Sequence, residues 1–423
     1  MMKVVIMAGG MGTRIASINA EVPKPMITIL DKPILEYQLE SLKEQGFIEI
    51  FIVIGHLGNI IREYFGDGTE FGVHITYIIE ESPLGTAGAL YLLKEELKED
   101  FILLNGDIIF DINFERFYQH HRSHDGVATL FTHPNSHPYD SGVLVTKGSY
   151  CVKQWLHKED KREWYRNRVN AGIHIISPRI FEKSMGIFNK LEKKDLDRDV
   201  LQPLIERQQL FVYDSPEYVK DMGTPSRYTS IINDIKLGRV NAKNLSRKQK
   251  AIFLDRDGTI NRYVGFLRNI EEFELLPYVA EAIRKINEQG YLAIVITNQP
   301  AIARGELTVQ QLECIHNKME TLLGQKGAYI DAIYYCPHHP HSGYEGEVKE
   351  LKIDCMCRKP KPGLLYIASV EFNIDLRSSW MIGDSSNDVE AGIRAGCSIM
   401  QLGEKNEYGS TLLEAVNYIF REL

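Results

Sequence analysis

The sequence of 423 residues carries a formal net charge of −8, with 44% hydrophobic and 25% charged residues. Its length favours two or more globular domains of roughly 100–200 residues each, and its acidic balance argues against a general nucleic-acid-binding protein, which would show a basic face. Since no apolar stretch reaches the roughly 18 residues that span a membrane, and the first residues lack the flanks of a signal peptide, we expect a cytoplasmic protein without a membrane partner.

The first half of the chain alternates predicted strands with predicted helices. Residues 3–7, 48–54 and 101–104 are short apolar runs typical of buried strands, and residues 34–45 have the pattern of a helix. This alternation predicts an α/β fold with a mostly parallel, doubly wound sheet. Ligands of such sheets bind at the carboxyl ends of the strands.

A glycine-rich loop follows the first predicted strand. Glycine lets backbone N–H groups approach phosphate oxygens closely, and Thr13 and Arg14 add a hydroxyl and a fixed charge. A tight turn in any α/β protein is the alternative interpretation. Lys24, held between Pro23 and Pro25, favours phosphate binding, because the prolines stiffen the backbone that presents it. The candidate loop residues are Ala8, Gly9, Gly10, Gly12 and Thr13.

Together, residues 8–15, 22–27 and 31–33 resemble the signature of the sugar-1-phosphate nucleotidyltransferases, and the resemblance covers about the first 235 residues. It implies that a sugar 1-phosphate attacks the α-phosphorus of a nucleoside triphosphate and releases pyrophosphate. Arg14 and Lys24 would then hold the triphosphate and stabilise charge in the transition state.

Further motifs of that family follow in its order. Residues 80–88, including Gly85, resemble the segment that contacts base and sugar, and Asn170 begins the sugar-contacting motif. The motifs around Asp107 and Asp221 imply that these two carboxylates bind Mg²⁺. A turn or a helix cap is the alternative for either aspartate alone. Lys158 stands where the family has a lysine that grips the sugar phosphate, although the flanking residues differ.

A polar, basic stretch at residues 236–250 separates the two halves. We expect a first domain over residues 1–238, a linker over 239–249, and a second α/β domain over 250–423. The predicted elements of the second domain are strands at 251–254, 291–297 and 380–382 and a helix at 279–289.

The first strand of the second domain ends in Asp255 and Asp257. Two carboxylates at this spacing allow one to attack phosphorus while the other donates a proton to the leaving oxygen. A calcium-binding loop is the alternative, but the EF-hand spacing fails because position 264 is Val.

Later residues complete a set that resembles the haloacid-dehalogenase phosphatase superfamily. The resemblance implies that Asp255 is the nucleophile and that Asp257 is the general acid and base. Thr297 and Asn298 would hold the phosphoryl group, and Lys359 would neutralise it. The implied Mg²⁺ ligands are Asp255, Asp257 and Asp384.

Three of the six cysteines lie close together in the sequence, beside histidines. The candidate ligands of a structural Cys₃His zinc site are Cys336, His338, Cys355 and Cys357. A chance cluster of core cysteines is the alternative. With residues 297–308, this region resembles the heptose 1,7-bisphosphate phosphatases and the related histidinol phosphatases, which implies substrate contacts from Arg358, Lys359, residues 263–266 and Arg304.

Heptose chemistry joins the two activities, because removal of the 7-phosphate leaves the heptose 1-phosphate that a nucleotidyltransferase would activate. The predicted function is therefore two consecutive steps toward a nucleotide-activated heptose. By analogy with the family, GTP is the expected nucleotide and GDP-heptose the expected product. We expect Mg²⁺ in both domains, Zn²⁺ in the second, and nucleoside triphosphates and sugar phosphates as partners.

Three alternatives stay open. In the first, the transferase acts on mannose 1-phosphate or another hexose 1-phosphate, and the phosphatase acts on another sugar bisphosphate. In the second, the first domain is a nucleotide-sugar sensor, but this is disfavoured by the presence of Arg14, Lys24, Asp107 and Asp221. A zinc-finger nucleic-acid module is disfavoured by the acidic charge. The sequence also leaves open whether the protein is a homo-oligomer.

Overall fold

The computed structural model describes residues 2–10, 21–148, 150–403 and 410–422. The chain forms two compact units. The first comprises Met1–His133, Leu144–Trp155 and Asn170–Asn241, and the second comprises Pro134–Val143, Leu156–Val169 and Ala242–Leu423. Two short segments from the N-terminal half of the sequence therefore fold with the second unit.

The elements of the N-terminal half alternate as its sequence pattern predicts. The strands are β1 (Val4–Met7), β2 (Thr28–Ile29), β3 (Lys32–Pro33), β4 (Glu49–Ile54), β5 (His74–Ile79), β6 (Phe101–Asn105), β7 (Ile108–Asp111), β8 (Ala128–His133), β9 (Val143–Lys147), β10 (Cys151–Leu156), β11 (Val169–Ile176), β12 (Leu210–Asp214) and β13 (Tyr218–Asp221). The helices are α1 (Ile34–Glu44), α2 (Gly58–Phe65), α3 (Phe114–Arg122), α4 (Pro203–Glu206) and α5 (Pro225–Lys236).

Nine of these strands form one mixed sheet in the order β5-β4-β1-β6-β11-β8-β12-β10-β9. Strand β1 is parallel to both β4 and β6, so the carboxyl ends of these three strands meet at one edge. Val4 and Ile6 pack into one hydrophobic core and Val5 into another. Because neighbouring side chains of a strand point to opposite faces, both faces of the sheet are covered, which confirms the predicted α/β fold.

The C-terminal half is built on five strands and five helices. These are β14 (Ala251–Leu254), α6 (Val279–Glu288), β15 (Leu292–Asn298), α7 (Val309–Gly324), β16 (Ala332–Cys336), α8 (Gly363–Glu371), β17 (Trp380–Gly383), α9 (Ser386–Ala395), β18 (Ser398–Gln401) and α10 (Leu412–Glu422).

The five strands form a parallel sheet in the order β16-β15-β14-β17-β18. Ile252 and Leu254 face one hydrophobic core, and Ala251 and Phe253 face the other. This arrangement places the ends of β14, β15 and β17 side by side, as the predicted fold requires. In the described part of the chain, no helix combines the length and apolar character needed to cross a membrane.

Residues 242–249 of the predicted linker belong to the second unit, and residues 239–241 belong to the first. Lys243 pairs with Asp331 at 3.0 Å, and both side chains are buried. Leu245 packs into a hydrophobic core of the second unit. Gln249 is also buried, and its backbone N–H donates to the Asn373 carbonyl at 3.0 Å. The linker over residues 239–249 stays a prediction, and its residues are divided between the two compact units.

Candidate active sites

Lys24 is the first predicted site residue of the first unit that lies near the strand ends. This lysine opens a short 3₁₀ turn, Lys24–Met26, whose Pro25 and Met26 are buried. Its ammonium forms an ion pair with Asp107, just beyond the end of β6. A side chain at Gly106 would approach the Met7 carbonyl and Pro25, so glycine lets the two segments pack closely. The structure thus brings together two predicted site residues that are 83 positions apart.

Asp221 reaches the same region through the antiparallel pairing of β13 with β7. In that pairing Asp221 lies opposite Ile108, and the backbone N–H of Met222 donates to the Asp107 carbonyl at 2.9 Å. The Asp221 carboxylate accepts two hydrogen bonds from Arg227, at 2.9 and 3.0 Å. The two predicted Mg²⁺ ligands therefore sit on adjacent backbone segments, and each carboxylate already has a cationic partner.

The glycine-rich loop lies beside Glu80, the first residue of the segment predicted to contact base and sugar. Ala8 is buried and donates to the Val53 carbonyl at 2.9 Å, and Gly9 lies against Glu80 so closely that a Cβ would collide with its carboxylate. Among the described residues, the buried Oε1 of Glu80 has no hydrogen-bond partner. Burial raises the pKa of Glu80, against a lowering contribution from the Leu84 backbone. Among the described residues, no atom would lie within 4 Å of a Cβ at Gly10.

Three residues predicted for this loop, Gly12, Thr13 and Arg14, lie outside the described residues. Gly85 has a φ of +80°, and a side chain there would collide with the Lys194 carbonyl. Lys158 belongs to the Leu156–Val169 segment of the second unit. Its predicted contact with a sugar phosphate stays a prediction.

Asn170 is held by its own β11 neighbours. Its Oδ1 accepts from the backbone N–H of Gly172 at 3.1 Å and lies 3.1 Å from Nε2 of the buried His174. Because an amide oxygen only accepts, His174 Nε2 must be the donor. Burial lowers the pKa of His174 to about 4, which keeps the ring neutral. Both donors occupy the oxygen of Asn170, which orients its NH₂ group away from them.

In the second unit, three carboxylates meet at the strand ends. Asp255 follows β14 and Asp384 follows β17, while Asp388 lies in the first turn of α9. One oxygen of each lies within 4.8 Å of the others, a grouping that could hold a metal ion. At Gly258, where φ is +90°, a Cβ would collide with the Asp384 carboxylate. Asp388 is not among the Mg²⁺ ligands that the sequence resemblance implied, whereas Asp257, which is among them, lies outside this group.

Lys359 is buried in the middle of this cluster. Its ammonium lies 2.6 Å from Asp255 and 2.5 Å from Asp388, and it donates to the Ile296 carbonyl at 2.7 Å. Asn298 fixes the lysine backbone from both sides: its Oδ1 accepts from the Lys359 N–H and its Nδ2 donates to the Lys359 carbonyl, each at 3.0 Å. The Asn298 amide, predicted to hold a phosphoryl group, is thus used in positioning Lys359.

The charges of the cluster do not balance. Burial raises the pKa of Asp255 and Lys359 opposes that shift, while burial and then Asp388 raise the pKa of Asp384. For Lys359, burial favours the neutral amine, but Asp255 and Asp388 outweigh it and raise the pKa. Three carboxylates surround one ammonium, so a divalent cation would complement the excess negative charge.

Asp257 lies outside the grouping of three carboxylates and has partners of its own. It accepts from Arg256 at 2.8 and 2.9 Å, from Gln299 at 2.9 Å and from Asn261 at 3.0 Å. Gln299 also donates to the hydroxyl of Thr297, at 2.9 Å, at the end of β15. The predicted acid and the predicted phosphoryl-binding threonine therefore share one amide donor.

Two arginines predicted to contact substrate have defined surroundings. Arg304 lies between the rings of Phe266 and Tyr344, at 4.6 and 4.2 Å from their centroids, and pairs with Glu306 at 2.7 Å. Arg358 donates to the His338 carbonyl at 3.2 Å. Cation–π contacts and the ion pair with Glu306 hold the Arg304 guanidinium, and the backbone contact links Arg358 to His338 of the predicted zinc site.

The four predicted zinc ligands come together. Cys336 Sγ lies 3.5 Å from Cys355 Sγ and 3.4 Å from Cys357 Sγ, and His338 Nδ1 lies 3.2 Å from Cys357 Sγ. All four ligand atoms lie within 4.8 Å of one another, so the cluster could hold a metal ion. A tetrahedral zinc with bonds of about 2.3 Å places sulfur atoms roughly 3.8 Å apart, close to the observed spacing.

Family models match both halves of the chain. The nucleotidyl transferase model matches residues 3–237, and a HAD-hydrolase-like model matches residues 356–411.

Individual relatives divide in the same way. The chain is 41% identical over 151 residues to a D-glycero-beta-D-manno-heptose-1,7-bisphosphate 7-phosphatase of Escherichia coli K12, covering 36% of this chain and 77% of the relative. It is 42% identical over 159 residues to a D-glycero-alpha-D-manno-heptose-1,7-bisphosphate 7-phosphatase of Photorhabdus laumondii, covering 37% and 85%. It is 30% identical over 230 residues to the mannose-1-phosphate guanylyltransferase catalytic subunit beta of Drosophila pseudoobscura pseudoobscura, covering 53% and 60%.

Proposed function

We propose that this chain, which belongs to the nucleotidyl transferase family and to the heptose-1,7-bisphosphate 7-phosphatase family, catalyses two consecutive reactions on one sugar. The second unit removes the 7-phosphate of D-glycero-D-manno-heptose 1,7-bisphosphate. The first unit then transfers a nucleotidyl group to the remaining heptose 1-phosphate and releases pyrophosphate. The product of one half is the substrate of the other, which gives the fusion a chemical purpose.

The observation that carries the proposal is the Asp255–Lys359 pair. A buried carboxylate at a strand end, 2.6 Å from a buried lysine and grouped with Asp384 and Asp388, suits nucleophilic attack on a phosphoryl group. In this role Asp255 attacks phosphorus and the bond to the sugar oxygen breaks. Asp257 gives that oxygen its proton, then takes a proton from the water that releases phosphate from Asp255.

Asp255, Asp384 and Asp388 would hold Mg²⁺, which stabilises the phosphoryl oxygens and keeps the nucleophile ionised. Lys359 would neutralise the transferring phosphoryl group, and the two Asn298 contacts hold the Lys359 backbone in position. Thr297 is the remaining candidate donor to a phosphoryl oxygen. Arg304 and Arg358 are proposed to contact the rest of the sugar phosphate.

In the first unit, we assign the triphosphate to the loop that includes Ala8, Gly9 and Gly10, with Lys24 as its cationic partner. Asp107 and Asp221 would hold Mg²⁺, which offsets the charge of the phosphates. Binding of triphosphate and metal would break the Lys24–Asp107 ion pair. Lys24 would then pair with a phosphate, and Asp107 would bind the cation. The oriented NH₂ group of Asn170 would donate to a sugar hydroxyl.

Glu80 favours GTP as the nucleotide. Guanine presents two adjacent donors, N1–H and the 2-amino group, and a carboxylate accepts from both. Adenine presents an acceptor at N1, which a carboxylate repels. Oε1 of Glu80 has no hydrogen-bond partner among the described residues, and the other oxygen, Oε2, lies beside Gly9, so this carboxylate supports the proposed recognition.

For the Cys336, His338, Cys355 and Cys357 cluster we propose structural Zn²⁺. Three thiols and one imidazole are the ligand set that zinc prefers, and the cluster offers no open position for a substrate. The metal would anchor the loop that carries Arg358 and Lys359 to the end of β16. It would thereby hold both cations near Asp255.

Two variants of the full chain test the assignment of the two activities. Asp255→Asn should abolish phosphate release from the bisphosphate and keep pyrophosphate release from heptose 1-phosphate and GTP. Lys24→Ala should do the reverse, and the control Lys3→Ala, at a half-buried lysine that pairs with Glu96, should keep both activities. If Asp255→Asn still releases phosphate at the wild-type rate, the proposed nucleophile is wrong.

A further inference from the structure

The guanidinium of Arg256 is buried beside the phosphatase site. Arg256 is the largest fully buried side chain described, with 0% of its surface exposed. A guanidinium stays charged in proteins, and an isolated buried charge is costly. A buried arginine inside the Asp255–Asp257 motif therefore needs a compensating partner.

That partner is the neighbouring Asp257. The Arg256 NH2 group donates to both carboxylate oxygens, at 2.9 and 2.8 Å, and Nε lies 3.3 Å from Oδ1. Gln299 and Asn261 add one donor to each oxygen. The carboxylate is thereby fixed in rotation as well as position, because donors reach it from three side chains.

His316 fixes the arginine from the other side. Its Nε2 lies 3.2 Å from Arg256 NH1, and since a guanidinium only donates, Nε2 must be the acceptor. Burial and the nearby Arg256 lower the pKa of His316 well below its usual value, so the ring is neutral and can accept. His316 belongs to α7, which makes the arrangement part of the rigid fold of the second unit.

We propose that Arg256, held by His316, is a positioning residue that fixes Asp257 for proton transfer to the leaving oxygen. The inference rests on the proposed role of Asp257 as general acid. When Asp255 attacks phosphorus and the P–O bond to the sugar breaks, the electron pair stays on the sugar oxygen, which takes the Asp257 proton. Asp257 becomes a carboxylate in that step, and the bidentate guanidinium stabilises the charge that develops there.

The test compares leaving groups that need a proton with leaving groups that do not. The substrates are phenyl phosphate, whose leaving oxygen is basic, and 2,4-dinitrophenyl phosphate, whose leaving oxygen is not. Release of the phenol in the first turnover reports phosphorylation of Asp255. Arg256→Met should slow this step roughly 100-fold for phenyl phosphate and only a few-fold for the dinitrophenyl ester, since general acids contribute about 10²–10⁴.

Four further variants calibrate the result. Asp257→Asn should show the same dependence on the leaving group. Arg256→Lys, which keeps the charge but not the bidentate geometry, should slow phenol release less than Arg256→Met does. His316→Gln, which keeps an acceptor, should slow it less than His316→Leu does. With the heptose bisphosphate, Arg256→Met should lower kcat and leave KM within about twofold, because Arg256 contacts Asp257 and not the substrate.

The outcomes separate the two claims. If Asp257→Asn slows both esters equally, Asp257 is not the general acid, and the proposed function is wrong at that residue. The second claim is tested if the slowing caused by Asp257→Asn depends on the leaving group. If Arg256→Met then slows both esters equally, or leaves kcat unchanged, Arg256 is not a positioning residue. An equal loss with a lowered melting temperature in Arg256→Met alone would show a purely structural role.

Discussion

Arg168 forms an ion pair with Glu320 at 3.2 Å, and their side chains are only 4% and 2% exposed. Arg168 also donates to the Asp331 carbonyl at 2.8 Å, and the backbone N–H of Asn167 donates to Glu320 at 3.0 Å. These contacts lie within the second unit, although Arg168 lies within residues 3–237, which match the nucleotidyl transferase family. The phosphatase fold of this chain therefore includes residues from its N-terminal half.

Arg168→Met should destabilise the second unit by about 3–5 kcal/mol, because removal of one partner leaves Glu320 as an uncompensated buried charge. The measurement is urea unfolding of the full chain, followed through phosphatase activity. The double variant Arg168→Met with Glu320→Leu removes both charges and should recover much of the loss. A single variant as stable as the wild type would show that this ion pair does not hold the segment in place.

The periodic elements were predictable from the sequence, because apolar runs and glycine stops report local structure directly. The strands at 3–7 and 251–254 and the helix at 34–45 agree with the structure to within one residue at each end. The strand-end aspartates followed from the same reasoning, since parallel strands end at one edge.

Other features depend on contacts between distant parts of the chain, which no local pattern encodes. The placement of residues 156–169 in the second unit is one example. Asp388 is another, because its capping box with Ser385 indicates a helix start and not a site.

Glu80→Gln should lower kcat/KM for GTP roughly 10–100-fold, because one of two acceptors for guanine becomes a donor, and a hydrogen bond to a charged group contributes about 1.5–3 kcal/mol. The value for ATP should change little. Glu81→Gln is the matched control, since its side chain is exposed and next in the sequence. An equal loss of kcat/KM for GTP and ATP would mean that Glu80 supports the fold and does not recognise the base.

The purified protein should contain about one zinc per chain, by mass spectrometry of the metal content. Cys355→Ser should lose the zinc and lower phosphatase activity, because the loop carrying Arg358 and Lys359 loses its anchor. The exposed Cys314 lies outside the cluster, so Cys314→Ser is the control and should keep the metal. A folded, active protein without zinc would remove the Cys₃His assignment.

His174 should make the first unit less stable in acid. Burial lowers its pKa to about 4, against 6.5 in the unfolded chain, so the unfolded state binds a proton first as the pH falls. The stabilisation is complete above pH 6.5 and declines below it, by about 2 kcal/mol between pH 7 and pH 5.

The comparison variant is His174→Gln, which keeps a donor for Asn170 but does not titrate. Hydrogen exchange of the β11 amides, corrected for the intrinsic effect of pH, measures the stability of both proteins at the two pH values. The loss on acidification should be smaller in the variant by about 2 kcal/mol. Since His124 titrates in both proteins, a difference between them isolates His174. Equal losses would mean that His174 is protonated in the folded state.

The most direct test of the two-step proposal is to incubate the full chain with D-glycero-D-manno-heptose 1,7-bisphosphate, Mg²⁺ and each common nucleoside triphosphate in turn. Phosphate, pyrophosphate and sugar nucleotides are followed by mass. We expect phosphate in every reaction, and equal amounts of pyrophosphate and GDP-heptose with GTP. Phosphate without any heptose nucleotide, together with GDP-mannose formation from mannose 1-phosphate, would contradict the proposal and assign the first unit to a hexose.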